Sequence, residues 1–352
     1  MSNVFLIVDG SSMLSTAYYG TLPVSVKMAK TEEEKQLAYQ SLLQTSDGRY
    51  TNAMYTMIRS LFKLLDDVKP KYFAVAFDVS RNTFRRTQLG ADYYKANRKE
   101  TAFPLKSQFV QMEQFLQDIG VTVLCSPDYE ADDYVASVVA STQACNDADI
   151  TYILHSKDHD YMQLVSDNVT LYRPMTKSRL DAMLADGLIT GNDIFGTNVL
   201  KYTPEIVYAD CGVRPECVVD LMALTGDVGD GIPGCKGVSS AAPLLIDYYH
   251  TIDNLYQVID GCETSSDEKG LLSVWKNTLG IKRSPLKALR TYRDDVVMSR
   301  KLACMCRDIP NVSCILSDYQ LCLDSNRMVS GLLDYEMKSL IDDCVRIANN
   351  NN

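Results

Sequence analysis

The sequence lacks any run of about 18 apolar residues, which argues against a membrane-spanning helix. Its first residues also lack the basic-then-apolar layout of a secretory leader. Both absences lead us to expect a soluble protein with no membrane partner, cytoplasmic, or in the host cytoplasm if the source is a virus. Histidine is scarce, with three residues in 352, and none of the eleven cysteines sits in a CxxC pair; Cys304 and Cys306 make only a CxC. A His/Cys zinc site is therefore not expected. Reduced thiols packed as small apolar groups fit better than disulfides. The chain also lacks net positive charge: at −10 it looks at first unlike a nucleic-acid binder.

What is present changes that reading. Basic residues gather in two stretches. Arg81, Arg85, Arg86, Lys95, Arg98, Lys99 and Lys106 leave a local charge of +5, and Lys276, Lys282, Arg283, Lys287, Arg290, Arg293, Arg300 and Lys301 leave +6. Local field matters more than total charge, although a solvated helix face explains either stretch equally well. Apolar content of 46% is ordinary for a globular protein, and the length suits two domains. Lone Trp275 and the methionines of 54–57 read as core.

The acids are the most informative residues. Glu130, Asp132 and Asp133 lie within four positions, where a polar turn at 126–128 gives way to an apolar helical run. One or two acids at a helix start answer the field of its unpaired N–H groups. Three, with more at other strand ends, call for a hard divalent cation such as Mg²⁺ or Mn²⁺.

Val4–Val8 is a wholly apolar run ending at Asp9-Gly10, the pattern of a buried parallel strand. Residues 52–66 show helical periodicity, residues 71–77 form a second strand ending at Asp78, and a third, 121–125, leads to the Glu130 group. A fourth, 150–154, ends in a loop carrying His155, Asp158, His159 and Asp160, and 169–172 forms a short fifth strand. Alternating strands and helices imply a parallel sheet whose ligands bind at the carboxyl ends of its strands. Alone, Asp9 reads equally as a turn residue and Asp78 as a cap of the helix that follows. Together the acids fit a two-metal site, which needs carboxylates from several segments around ions about 3.5–4 Å apart. His155 and His159 read as structural.

After residue 206 the character changes. An apolar helix at 218–224 is followed by a segment, 226–239, with five glycines and a proline. Such a hairpin lets backbone N–H groups approach a phosphate closely. Ser239 or Ser240 is expected to cap the next helix, with Pro243 in its first turn. This is the pattern of a helix–hairpin–helix, a sequence-independent grip on a DNA backbone.

Seven stretches in order, LIVDGSSM (6–13), AVAFD (74–78), TFRR (83–86), YYKANRKE (93–100), YEADDYVAS (129–137), SKDHDYMQL (156–164) and TGDVGDGIPGCKGV (225–238), resemble the 5′-nuclease family. That family comprises flap endonucleases, stand-alone phage 5′ nucleases and the N-terminal nuclease domain of bacterial family-A polymerases. The resemblance implies an α/β fold: a PIN-like parallel sheet flanked by helices, with a helical arch at about 79–106, making a catalytic domain of residues 1–205. A mainly helical domain, 206–352, would hold the helix-hairpin-helix (helix-three-turn-helix) DNA clamp at about 218–250 and the C-terminal helices.

By position, Asp9, Asp78, Glu130, Asp132 and Asp133 would hold a first metal, directly or through water, and Asp158, Asp160, Asp227 and Asp230 a second. Lys95 and Arg98 match basic residues that act on the scissile phosphate. Arg85 and Arg86 match a DNA-gripping patch, and Gly231, Gly234, Lys236 and Gly237 the hairpin that binds the duplex, with K⁺. The implied activity is 5′→3′ exonuclease and flap endonuclease action on DNA by a monomer with two Mg²⁺, or Mn²⁺ in their place. RNA–DNA hybrid and replication proteins are the implied further partners. Two other classes fit parts of the chain: a non-catalytic DNA-binding protein retaining this scaffold, and a metal-dependent phosphoryl enzyme for small molecules. Departures from the family pattern are Ser239 for a glycine, Ala241-Ala242-Pro243 for a stretch with a lysine, His159 for a lysine, and about twenty extra residues near 177–200.

Overall fold

The computed structural model describes residues 3–146 and 149–351, the last two as backbone only. Two compact units interleave along the chain. The first takes residues up to Ser80, Lys99–Lys157 and the chain from Cys306 onward; the second takes Arg81–Arg98 and Asp158–Met305.

The first unit is built on four parallel strands, β1 (Val4–Asp9), β2 (Tyr72–Ala76), β3 (Thr122–Leu124) and β4 (Thr151–His155). Strand β1 lies between β2 and β4, and β3 pairs with the far side of β2. All six β1 residues are buried, which is why this strand reads as continuous apolar sequence and not as alternation. The helix Asn52–Val68 buries Met54, Met57, Ile58, Leu61, Leu64 and Leu65, as its periodicity predicts. Its N-cap residue Thr51 makes no side-chain cap. Gln108, fully buried on the helix Phe103–Asp118, does so from a distance, its Oε1 accepting from Ala53 N at 2.8 Å and Met54 N at 3.1 Å.

The chain after Cys306 belongs to this unit. Leu321 N donates to the Lys71 carbonyl at 3.0 Å beside the start of β2, and the helix Ile341–Asn351 packs against Asn52–Val68. No described helix is long and apolar enough to cross a membrane.

In the second unit β5 (Val169–Pro174) pairs antiparallel with β7 (Val199–Tyr202), and β6 (Ile194–Phe195) also runs antiparallel to β7. Parallel pairing therefore holds for β1–β4 but not here. The extra residues near 177–200 supply the helix Lys177–Ala185 and a β6–β7 hairpin, and a connection that short joins only antiparallel neighbours. The segment expected as a helical arch is helical only at Phe84–Thr87 before Phe103; residues 92–97 are turns, and Lys95 takes a left-handed φ of 54° that a helix cannot hold.

The helix Val218–Thr225 packs on Arg293–Ala303, and the helix after the glycine-rich hairpin is Ala242–Tyr249. Its N-cap is Ala241, not Ser239 or Ser240, because Ala241 N and Ala242 N both turn back to the Val238 carbonyl before the helix begins. Pro243 does sit in the first turn. Trp275 is buried, its Nε1 donating to the Tyr249 hydroxyl at 2.9 Å.

Candidate metal centre and nucleic-acid interface

In the first unit the strand ends and one helix start bring five acids to the same edge of the parallel strands. Asp9 closes β1 and is 7% exposed. Its Oδ1 accepts from Ser12 N at 2.9 Å, capping the helix Gly10–Thr21, and its Oδ2 accepts from the Ser156 hydroxyl at 2.7 Å. Asp78, two residues past β2, accepts the N–H of Ala131 on its Oδ1 at 2.9 Å. It thus caps the helix Ala131–Cys145 and not the one following it in sequence. Asp78 N in turn donates to Ser11 Oγ at 2.8 Å. Ser11, Ser12 and Ser156 hold the acid-bearing ends together; they lie inside the motif stretches, and only their adjacency to the acids signalled a role.

Glu130 and Asp133 form a capping box at the start of Ala131–Cys145. Asp133 is fully buried, its Oδ2 accepting from Glu130 N at 3.1 Å and its Oδ1 from Cys306 N at 2.8 Å. Asp132 Oδ1 accepts from Asp133 N at 2.7 Å. Glu130, Asp132 and Asp133 each offer an oxygen within 4.8 Å of the others'. Three carboxylates this close, partly balanced by the N-terminal field of a helix, make an oxygen-only donor set suited to a hard divalent cation.

The second unit carries the other four acids. Asp158 Oδ1 accepts from Asp160 N at 3.1 Å. Asp227 caps its own turn, its Oδ1 accepting from Gly229 N at 2.7 Å and Asp230 N at 3.3 Å. Asp160 is buried, and its Oδ1 has no hydrogen-bond partner among the described residues. His159 Nε2 lies 3.3 Å from that oxygen without bonding geometry. Burial, reinforced by repulsion from Asp158, Asp230 and Asp227, pushes the Asp160 carboxyl up to about 8. A desolvated carboxylate oxygen among acids, not hydrogen-bonded by any described residue, is the observation that fits a bound cation here. Asp158, His159 and Asp160 also form a group that could ligate one. His155 on β4 is buried and neutral, since burial holds its imidazolium down at about 4.

The expected basic residues divide. Lys95 and Arg98 both meet Asp230, with Lys95 Nζ 3.5 Å from Oδ2 and Arg98 Nη2 2.5 Å from Oδ1. Arg86 Nη2 donates to the Asp92 carbonyl at 2.8 Å. Arg85, expected to grip DNA, is 1% exposed. Its Nε donates to the Leu302 carbonyl at 2.8 Å and its Nη2 to the Cys304 carbonyl at 3.0 Å, closing the end of the helix Arg293–Ala303. A guanidinium committed to carbonyls inside the fold does not reach a phosphate.

Of the hairpin residues, Gly234 is buried against the backbone of Gly226, and its N–H donates to Ser299 Oγ at 2.9 Å; it too faces inward. Gly231 N donates to the Val228 carbonyl at 3.4 Å. Lys236 and Gly237 are exposed, in the turn before Ala242–Tyr249, and these remain on a surface a duplex can touch. In the second basic stretch Arg290, Arg293 and Arg300 pair with Glu268, Asp260 and Asp253. Lys276, Lys282, Arg283 and Lys287 are exposed.

A family model described as 5′-3′ exonuclease, N-terminal resolvase-like domain, matches residues 4–189, and one described as 5′-3′ exonuclease, C-terminal SAM fold, matches residues 213–324. The 5′-3′ exonuclease of Halalkalibacterium halodurans is 32% identical over 260 residues, 74% of each chain. DNA polymerase I of Mycobacterium leprae is 31% identical over 311 residues, which are 88% of this chain and 28% of that protein. The chain thus spans less than a third of the length of such polymerase relatives. In fold it is similar to a bacteriophage T5 flap endonuclease solved in a pseudo-enzyme-product complex with DNA and metal ions, with a TM-score of 0.54 and 16% identity over 98% of this chain and 99% of that one.

Proposed function

The chain belongs to the 5′-3′ exonuclease family, and we propose that it is a structure-specific 5′ nuclease, hydrolysing phosphodiester bonds at 5′ ends and flaps of DNA. The observation that carries this reading is the Asp160 carboxylate, buried and repelled by three other acids, with an oxygen that has no hydrogen-bond partner among the described residues. Such a group is stable as a charge only beside a cation.

In this reading Asp9, Asp78, Glu130, Asp132 and Asp133 would hold one divalent ion, and Asp158, Asp160, Asp227 and Asp230 another, with Mg²⁺ as the native metal and Mn²⁺ a substitute. Divalent ions held by such carboxylates would lower the pKa of a water and stabilise the charged oxygens of an in-line displacement. Asp133, whose two oxygens accept backbone N–H groups, contributes chiefly by holding Glu130 and the chain at Cys306 in place. Lys95 and Arg98 neutralise charge growing on the scissile phosphate. Lys236 and Gly237 touch the duplex backbone, with K⁺ at the same turn. The proposal assigns catalysis chiefly to residues 1–205 and the clamp to 206–352, with Asp227 and Asp230 of the latter lent to the metal acids and the chain from Cys306 onward packed in the first unit. RNA–DNA hybrid as a second substrate, replication proteins as partners, a monomeric state and a cytoplasmic site of action belong to the same proposal.

The test is a labelled set of 5′-flap, nicked and RNA-primed duplexes, incubated with Mg²⁺ or with EDTA. Cleavage near the 5′ junction with Mg²⁺ alone is expected. Binding of the flap without cleavage under any divalent ion would leave a DNA-binding scaffold in its place, and turnover of small phosphoesters unaffected by competing duplex would point to the phosphoryl enzyme.

A further inference from the structure

Inside the second unit, the turn at 93–98 lies directly on the glycine-rich hairpin. Lys95 N donates to the Asp230 carbonyl at 2.8 Å, while the Asp230 carboxylate takes Lys95 Nζ at 3.5 Å and Arg98 Nη2 at 2.5 Å. One residue therefore fixes the backbone of one base and the side chains of both. The residue beside it, Gly231, has φ +73°, and a Cβ there would stand 2.8 Å from the Tyr93 carbonyl oxygen and 3.7 Å from Lys95 N. Lys95 itself holds φ 54°, a conformation costly for a side chain of its size and kept only where the surroundings impose it.

We propose that Gly231 is a positioning residue for Lys95 and Arg98: the missing Cβ lets the hairpin seat on Tyr93–Lys95, so that Asp230 holds the two bases as a preformed pair. The role differs from duplex contact, since the α-carbon of Gly231 faces Tyr93 and its N–H turns back to Val228. A carboxylate presents two oxygens to two cationic donors much as a phosphate does. Asp230 thereby keeps Lys95 and Arg98 at the spacing a phosphate needs before one arrives, and preorganisation of this kind lowers the cost of meeting charge in the transition state. The inference rests on the nuclease reading only in assigning the phosphate as the partner of Lys95 and Arg98.

The experiment compares wild type, Gly231→Ala, Gly231→Asn, Lys95→Ala and the double variant Gly231→Ala/Lys95→Ala. Asparagine tolerates a positive φ, so Gly231→Asn isolates the collision of the Cβ from backbone strain. Amide hydrogen exchange, in EDTA and without DNA, is the first readout. In wild type the Lys95 amide is protected by about tenfold or more over Asn97; in both Gly231 variants that protection is lost while the helix Val218–Thr225 keeps its own. Single-turnover cleavage of a 5′ flap is the second. Gly231→Ala lowers the rate by at least the factor seen in Lys95→Ala, duplex affinity stays within about twofold, and the loss in the double variant falls well short of the product of the two single losses, what it adds to Lys95→Ala being the share of Arg98. An unprotected Lys95 amide in wild type, unchanged protection in the variants, or rate losses that multiply in the double variant would overturn the proposal. Should the Gly231 variants not fold, an unprotected Lys95 amide in wild type still overturns the proposal. Should wild type not cut DNA, the nuclease reading falls while the exchange data still judge the positioning.

Discussion

Asp78 Oδ1 accepts the backbone N–H of Ala131 at 2.9 Å, joining the end of one strand to the first turn of a helix 53 positions later. The bond separates two roles of one carboxylate. Asparagine retains an acceptor for a helix N-terminus and alanine does not, so Asp78→Ala is expected to cost about 1 kcal/mol and Asp78→Asn far less. Both remove the charge, and both are expected to lower divalent-ion-dependent cleavage at least about tenfold. Urea unfolding beside single-turnover kinetics checks this; cleavage that survives in Asp78→Asn would return Asp78 to a purely capping role.

Asp132 and Asp133 are neighbours with different expected phenotypes. Asp133→Ala strips the acceptor from Glu130 N and Cys306 N around a fully buried site, an expected loss of about 2–5 kcal/mol. Asp132→Ala relieves repulsion between crowded acids and is expected to move stability by less than about 1 kcal/mol while abolishing cleavage. Equal unfolding midpoints for the two variants would contradict this division.

Arg85 is expected to matter for stability and not for DNA. Arg85→Met leaves the Leu302 and Cys304 carbonyls without their donor, at an expected cost of about 2–4 kcal/mol. The duplex affinity of its folded fraction should match wild type. A binding titration at several salt concentrations checks both points, because a lost phosphate contact flattens the salt slope and a lost internal bond does not.

Asp160 makes the metal-free protein sensitive to alkali. Its folded carboxyl is raised from 3.8 to about 8, so the native state holds a proton that the unfolded chain releases, and stability falls as pH rises between those values. A divalent cation that replaces the proton reverses the trend. In EDTA the melting temperature is expected to drop from pH 5 to about pH 8 more steeply than in Asp160→Asn, and Mg²⁺ should raise it more at pH 8 than at pH 5. Parallel profiles for wild type and Asp160→Asn would remove Asp160 as the source.

The parallel strands and the acids at their ends were legible because each rests on local chemistry: Val4–Val8 is apolar on both faces, and Asp9 is its first polar residue. The glycine-rich hairpin between two helices was legible for the same reason. What escaped depends on partners distant in sequence. Nothing near Gln108 announces that it caps the helix Asn52–Val68, and Arg85 in a basic run looks like surface until the carbonyls of Leu302 and Cys304 claim it. The antiparallel hairpin of β6 and β7 escaped because strands of two and four residues carry too little alternation to read. Ser239 has the chemistry of a cap, but the turn through Val238 moves the helix start past it.

The bond from Cys306 N to Asp133 has a consequence for the order of events during synthesis. Domains tend to fold from the N-terminal end as they leave the ribosome, yet here the helix start that carries Glu130, Asp132 and Asp133 waits for a strand of chain more than 170 positions downstream, where Ser137 also bonds to Cys306 and Ile309. A nascent polypeptide stalled before that point would have its first acids unfastened, so competence to bind metal should switch on only once Cys306 and Ile309 have left the ribosome.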